Sequence, residues 1–247
     1  MNYMKIKIKN NILISVPDDL TLMTPYVLLE QEDWFESEIE FVRYLLQPGM
    51  NVIDIGANYG TYALTAAKLV GVHGNVLAFE PASKTADYLK RSIELNSFGN
   101  IRLLQCALSD HDGKASLYLS ENSELNTLQQ TVGINCETVR LRTLDDCHAE
   151  SGIGPIDFIK LDAEGEEIKI LVGANKLLKQ QSPLIMFELR HANEVNVGLI
   201  QEFEQLGFKI YALVPGLNIL APFDSTAPID PFQLNLFACK DDRAEIL

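Results

Sequence analysis

Asn51-Val-Ile-Asp54-Ile-Gly56-Ala-Asn58-Tyr-Gly60 runs straight into Thr61-Tyr-Ala-Leu-Thr-Ala-Ala-Lys-Leu-Val70. An apolar run, a turn with two glycines and a helix-like run read as strand, tight turn, helix. Glycine accepts positive φ and lets backbone N–H groups approach a ligand with no Cβ in the way. Asn58 suits the same turn, and the whole reads as a nucleotide-type ligand site.

The next apolar run, Asn75-Val-Leu-Ala-Phe-Glu80-Pro81, ends in a carboxylate 24 residues after Gly56. The second parallel strand of a βαβ unit would finish there, and an acid at that point can hold both ribose hydroxyls. Dinucleotide folds use the same device with the spacing G-x-G-x-x-G. Here the spacing is Asp54-x-Gly56-x-x-x-Gly60, which favours S-adenosylmethionine over NAD. A glycine turn that merely packs helix on sheet is the alternative, and the placement of Glu80 argues against it.

The chain has 247 residues, 47% of them hydrophobic, enough to bury the core of one α/β domain with additions. Its 34 acidic residues outnumber its 20 lysines and arginines, for a formal charge of −14. That balance opposes a phosphate backbone or an anionic bilayer, so no nucleic acid partner is expected. No run approaches the roughly 20 apolar residues of a membrane span. The N-terminus alternates Lys5, Lys7 and Lys9 with Ile6 and Ile8, a strand pattern unlike the apolar core of a secretory signal. A cytoplasmic protein is therefore expected. Cys106, Cys136, Cys147 and Cys239 lack metal-ligand spacing and read as buried free thiols.

Residues 4–16 suggest a hairpin, and Trp34, Phe35, Ile39, Val42 and Leu46 approximate helical spacing within 26–46. Residues 1–48 are thus read as an extension packed on a domain over 49–247. From there the pattern alternates: strand 51–56, helix 60–70, strand 75–80, helix 83–97, strand 101–107. It resumes with strand 157–162, helix 166–179, strand 184–189, helix 194–206 and strand 208–214. Such alternation implies right-handed crossovers and a parallel sheet. Short strands over 114–119 and 139–144 frame a polar stretch, 120–138, the best candidate for a mobile lid, with a plain surface connection as its alternative. Four prolines between 215 and 231 exclude regular helix there. Residues 234–239 offer a last, antiparallel strand.

Ligands of open α/β sheets collect at the carboxyl ends of the strands. Asp54, Glu80, Asp162 and Glu188 each end an apolar run, so they are expected to converge. Methyl transfer to a hydroxyl needs an acceptor in line with the S–methyl bond and a group that takes its proton. His191 has a suitable unperturbed pKa. Asp162, Glu164 or Glu188 could accept that proton, orient the acceptor or bind the cofactor's ammonium. Asp162 and Glu164 could equally pair with Lys160 and Lys169 and cap the following helix. Three neighbouring acids could also hold a divalent cation, but no ligand spacing signals one and no metal is assigned. At the end of the third strand, Ala107 and Leu108 could flank an adenine ring or lie at a buried sheet edge.

These residues resemble the FkbM-type methyltransferases, class I enzymes that use S-adenosylmethionine. The resemblance rests on Val52-Ile-Asp54-Ile-Gly56-Ala-Asn58-Tyr-Gly60, Phe79-Glu80-Pro81, Ala107-Leu108-Ser109-Asp110 and, most specifically, Ile159-Lys160-Leu-Asp162-Ala-Glu164-Gly165-Glu166-Glu167. It covers about 52–187, with 26–38 similar to the lead-in of many members. It implies a Rossmann-like, doubly wound, mostly parallel seven-stranded sheet with an N-terminal hairpin and helix extension. By the same resemblance, Asp54, Gly56, Asn58 and Gly60 line the methionine and ribose region, Glu80 takes the ribose hydroxyls, and Ala107 with Leu108 borders the adenine. A small-molecule, sugar or natural-product hydroxyl is the implied acceptor. A non-catalytic module binding S-adenosylmethionine or S-adenosylhomocysteine, a dehydrogenase and an RNA methyltransferase are the competing readings.

Overall fold

The computed structural model describes residues 2–130, 135–191, 194–224 and 233–244. β1 (Tyr3–Ile8) and β2 (Ile12–Pro17) form the antiparallel hairpin that the Lys/Ile alternation predicts. α1 (Met23–Gln31) and α2 (Glu38–Leu45) follow, where the spacing suggested one helix-like run. The first ends at Glu32, whose φ of 53° is left-handed, so Trp34 and Phe35 fall between the helices.

β3 (Asn51–Ile55), α3 (Thr61–Val70), β4 (Asn75–Phe79), α4 (Ser83–Asn96) and β5 (Ile101–Leu104) reproduce the expected alternation. The strand expected over 101–107 divides after Leu104. Residues Ala107–Leu108 instead form β6 of a separate small sheet with β7 (Gly113–Tyr118) and β8 (Cys136–Arg142).

After α5 (Leu144–Ser151) and β9 (Phe158–Leu161), the single helix expected over 166–179 is two, α6 (Glu167–Gly173) and α7 (Asn175–Gln180). The break falls beside Gly173, whose backbone presses on the Ser109 carbonyl: a Cβ there would lie 2.1 Å from that oxygen. β10 (Leu184–Glu188) leads to a short antiparallel pair, β11 (Arg190–His191) and β12 (Glu194–Val195). The helix expected from 194 therefore starts later, as α8 (Val197–Gln205), where the Asn196 side chain accepts from the Leu199 N–H. β13 (Lys209–Val214), β14 (Ile219–Pro222), β15 (Asn235–Cys239) and α9 (Asp241–Ala244) complete the described chain.

The central sheet runs β14-β13-β15-β10-β9-β3-β4-β5. From β10 to β5 every pairing is parallel, and β15 is antiparallel to both neighbours, as its position after the prolines suggested. Seven strands follow the expected plan. An eighth, β14, lies in the first part of the proline-rich segment; residues 225–231 of that segment lie outside the described residues. As an edge strand β14 tolerates Pro222, which lacks an N–H.

Apolar layers cover both faces of the sheet. One joins Val52, Val76, Ala78 and Phe158 to α2, α3 and the hairpin residues Ile12 and Ile14. The other joins Ile53, Leu77, Ile159 and Phe187 to α6, α7 and α8. The hairpin is seated on α4: Asn96 bonds the Leu13 N–H and C=O, and Ser92 Oγ accepts from the Ser15 N–H. Cys106, Cys147 and Cys239 are buried free thiols as expected, but Cys136 is exposed because it starts a strand of the small outer sheet.

Gly173→Ala is expected to cost about 1–3 kcal/mol, because its Cβ meets backbone that cannot swing aside. Urea denaturation should show a lower midpoint at unchanged m; an unchanged midpoint would rule out this close approach.

Candidate active site

Side chains alternate across a strand, so paired residues share a face. Asp54 pairs with Lys160 and Ala78, Lys160 with Met186, and Glu188 with Asn235. Two residues further along the same faces stand Glu80 beyond Ala78, Asp162 beyond Lys160 and Glu188 beyond Met186. Glu80, Asp54, Lys160, Asp162, Glu188 and Asn235 therefore form one polar row at the carboxyl rim. Ladder hydrogen bonds continue past the strand ends, from Asp162 N–H to Ile55 O (3.2 Å) and Glu80 N–H to Leu104 O (3.2 Å).

The glycine turn bends over this rim. Gly56, Asn58 and Gly60 take φ of 74°, 49° and 97°, the left-handed region the sequence required of them. A Cβ on Gly56 would lie 1.8 Å from the Asp162 carbonyl oxygen, so only glycine fits. Gly56 and Ala57 donate to the Phe79 carbonyl at 3.0 and 2.9 Å. The Glu80 carboxylate accepts the Asn58 N–H through one oxygen and the Ala82 N–H through the other, both at 2.9 Å. The expected ribose carboxylate thus also holds the turn. A carboxylate has four lone-pair sites, which leaves room for further donors.

A cavity of about 280 Å³ opens at this rim. It is lined by the turn, by Ala107 and Leu108, and by side chains the sequence did not connect to it: Trp34, Phe35, Glu36, Tyr62 and Glu124. Tyr62 donates to Glu36 at 2.6 Å, and Asn235 reaches the same oxygen at 3.5 Å. Residues 123–127 close one side. Ser123 donates to Asn58 Oδ1 at 2.9 Å, Thr24 donates to Glu124, and Thr127 donates to the Glu164 carbonyl at 2.8 Å. The described part of the polar stretch is therefore a wall of the cavity.

Among the described residues the lining acids are Glu36, Asp54, Glu80, Glu124, Asp162, Glu164, Glu166 and Glu188, against the one cation Lys160. Lys160 is buried and pairs with Asp162 at 2.8 Å. Burial would lower its pKa, but Asp162, Asp54 and Glu36 outweigh this and raise it. Desolvation pushes Asp54 up to about 6, Glu80 to about 7, Glu164 to about 8 and Glu188 to about 9, with Asp162 adding to the last two by like charge. Both Asp54 oxygens are buried with no hydrogen-bond partner among the described residues. Helix capping falls to neither Asp162 nor Glu164: Glu167 accepts the Ala163 and Gly165 N–H groups, and Glu166 pairs with Lys169 at 2.7 Å. Glu164 holds a left-handed φ of 47°, a strained conformation for a residue other than glycine. His191 follows the rim in β11, and its side chain lies outside the described residues.

A parallel sheet with a reversed seventh strand, a glycine turn over the rim and an acid ending the second strand define the α/β fold of the class I methyltransferases. The Methyltransferase FkbM domain matches residues 54–210, and the chain belongs to that family. It is 27% identical over 157 residues to methyltransferase sdnD of Sordaria araneosa, covering 51% of this chain and 60% of that protein. It is 24% identical over 156 residues to 2-O-methyltransferase NoeI of Sinorhizobium fredii, covering 56% and 63%. The chain thus spans about three fifths of the length of these relatives. The crystal structure of a methyltransferase FkbM from Methylobacillus flagellatus superposes with a TM-score of 0.53 at 17% identity, covering 90% of this chain and 56% of the other. Among the described residues, no helix is long and apolar enough to cross a membrane.

Glu80→Gln should turn an amide N–H toward a backbone donor and cost about 1–3 kcal/mol in stability, read by urea denaturation. The ligand-free protein should also lose stability as pH rises from about 4.5 toward 9. Glu80, Glu164 and Glu188 keep their protons longer when folded than when unfolded, so the folded state binds more protons across that window. Stability rising with pH from 7 to 9 would contradict these environments.

Proposed function

We propose that this chain transfers a methyl group from S-adenosylmethionine to a hydroxyl oxygen of a small molecule, glycan or natural product. The observation that carries the reading is the meeting of the Gly56 turn, Glu80, the acids that follow β9 and Glu188 of β10 on one cavity. The residues present suit the cofactor. Asp54 offers a buried carboxylate lacking a partner to an ammonium, the glycine turn exposes backbone close to the ligand, Glu80 has acceptor sites to spare for ribose hydroxyls, and Ala107 with Leu108 offers an apolar edge to adenine.

When bound, the cofactor would supply an activated methyl group, on a sulfonium, to the acceptor oxygen. The chain's part is to hold the acceptor and receive its proton. Glu164 and Glu188, with pKa values raised to about 8 and about 9, are stronger bases than solvated carboxylates once ionised, on the alkaline side of neutrality. Lys160 orients Asp162 beside them. His191, next along the chain from this rim, is a further candidate for the proton. The acidic lining argues against an RNA substrate, because the carboxylates that are ionised repel a phosphate backbone.

Turnover of hydroxylated acceptors with labelled S-adenosylmethionine tests the reading. Cofactor binding without turnover on any acceptor would favour a binding module, and NAD binding without S-adenosylmethionine binding would favour a dehydrogenase. With a competent acceptor, kcat/KM should rise with pH between about 7 and 9 as Glu164 and Glu188 ionise, and Glu188→Gln should flatten the upper part of that rise. Asp162→Asn should lower kcat by about tenfold or more while changing cofactor affinity less. Equal loss of cofactor affinity would move Asp162 to the cofactor.

A further inference from the structure

We propose that Cys106 and Cys147 form a redox pair: hydrogen peroxide entering the cavity oxidises them to a disulfide, and closing that bond deforms the wall offered to the cofactor's adenine. The disulfide stands apart from the methyl-transfer reading above; its effect on the cofactor rests on that reading.

Strand register brings the two thiols together. Ala107 pairs with Leu141 and Leu108 with Arg142, so the chain leaving β8 enters α5 beside β6. Side chains alternate around Ala107. Ala107 packs with Leu117, Val139 and Leu141 of the small sheet, whereas Cys106 and Leu108 face the apolar layer that holds Leu144 and, one helical turn on, Cys147. There the two cysteines are 4% and 2% exposed, and the Cys106 Sγ–H donates to Cys147. That hydrogen bond and burial raise the Cys106 pKa; the same bond, with Arg142 adding, lowers that of Cys147. Ionisation of the pair is thus drawn toward Cys147, with Arg142 beside it.

Cys106 lines the cavity directly before Ala107 and Leu108, so a molecule the size of peroxide reaches that wall. Cys136 is exposed on the small sheet, and Cys239 is buried in the apolar layer on the other face of the central sheet. One sulfur of the pair, as thiolate, attacks a peroxide oxygen; the O–O bond breaks, and the departing hydroxide takes up a proton as water. The second sulfur attacks the sulfenic sulfur so formed, the S–O bond breaks, and the oxygen leaves as a second water with the remaining thiol proton. The two sulfurs lose two electrons and peroxide gains them.

A covalent S–S bond is shorter than a thiol hydrogen bond, so one segment must be drawn toward the other. α5 is fixed to α7, because Asp145 accepts the Lys176 and Leu177 N–H groups at 2.9 and 2.8 Å. Residues 105–106 lie between β5 and β6, outside either ladder, and are the part that yields. The wall at Ala107 moves with them.

The test treats the full, reduced chain with hydrogen peroxide, maps its cysteines by mass spectrometry of non-reduced digests, and measures S-adenosylhomocysteine affinity by calorimetry before and after. A link between Cys106 and Cys147 should form, affinity should fall about fivefold or more, and dithiothreitol should restore both. Saturating S-adenosylhomocysteine, by covering the wall, should slow the link. Cys147→Ser, which lacks the partner thiol, should hold its affinity through the same treatment. Thiols left free, links through Cys136 or Cys239, or a sulfinic acid at Cys106 in place of the link would overturn the proposal. So would a link between Cys106 and Cys147 that leaves affinity unchanged, or an equal loss of affinity in Cys147→Ser. A reduced chain that binds no S-adenosylhomocysteine would instead defeat the methyl-transfer reading, and the digests would still decide the disulfide.

Discussion

Gly56 and the Asp162 carbonyl approach so closely that a single added carbon would sit 1.8 Å from the oxygen. That contact ties the turn after β3 to the tip of β9. The Phe79 carbonyl, bonded by the Gly56 and Ala57 N–H groups, ties the same turn to β4. Glu80 then takes the Asn58 N–H and completes the clasp. Three strand ends are held against one loop, and the cavity is the space this arrangement leaves above them.

The clasp concentrates acid. Parallel strands end together, so the residues that end them are neighbours whatever their charge, and here most are carboxylates. Among the described residues Lys160, over the Tyr62 ring at 5.4 Å and bonded to Asp162, supplies the compensation. It does not match the carboxylates around it. Burial and like charge answer the remainder by holding protons at raised pKa.

Much of this was legible along the chain because strand geometry has a short repeat. Asp54, Glu80, Asp162 and Glu188 close apolar runs, and a parallel sheet brings such ends to one edge, where all four are found. Gly56, Asn58 and Gly60 announced a left-handed turn and adopt one. The interruptions were not legible. The helix expected over 166–179 ends its first part at Gly173, where a side chain would meet the Ser109 carbonyl, 64 positions earlier, and after Leu104 the chain leaves the central sheet to feed a second one. Glu36, Tyr62 and Glu124 also escaped notice, since they reach the cavity from three unrelated elements and no spacing links them.

Composition and periodicity were sufficient for the α/β plan, the succession of core strands along the chain and the left-handed glycine turn after the first of them, because those follow from local backbone preference and from alternation within a strand. The walls of the cavity, the pairing of Lys160 with Asp162 and the proton affinities of Glu164 and Glu188 came only from folding. They depend on distances between segments far apart in sequence and on the water each group loses, and neither quantity is written in any one stretch of the chain.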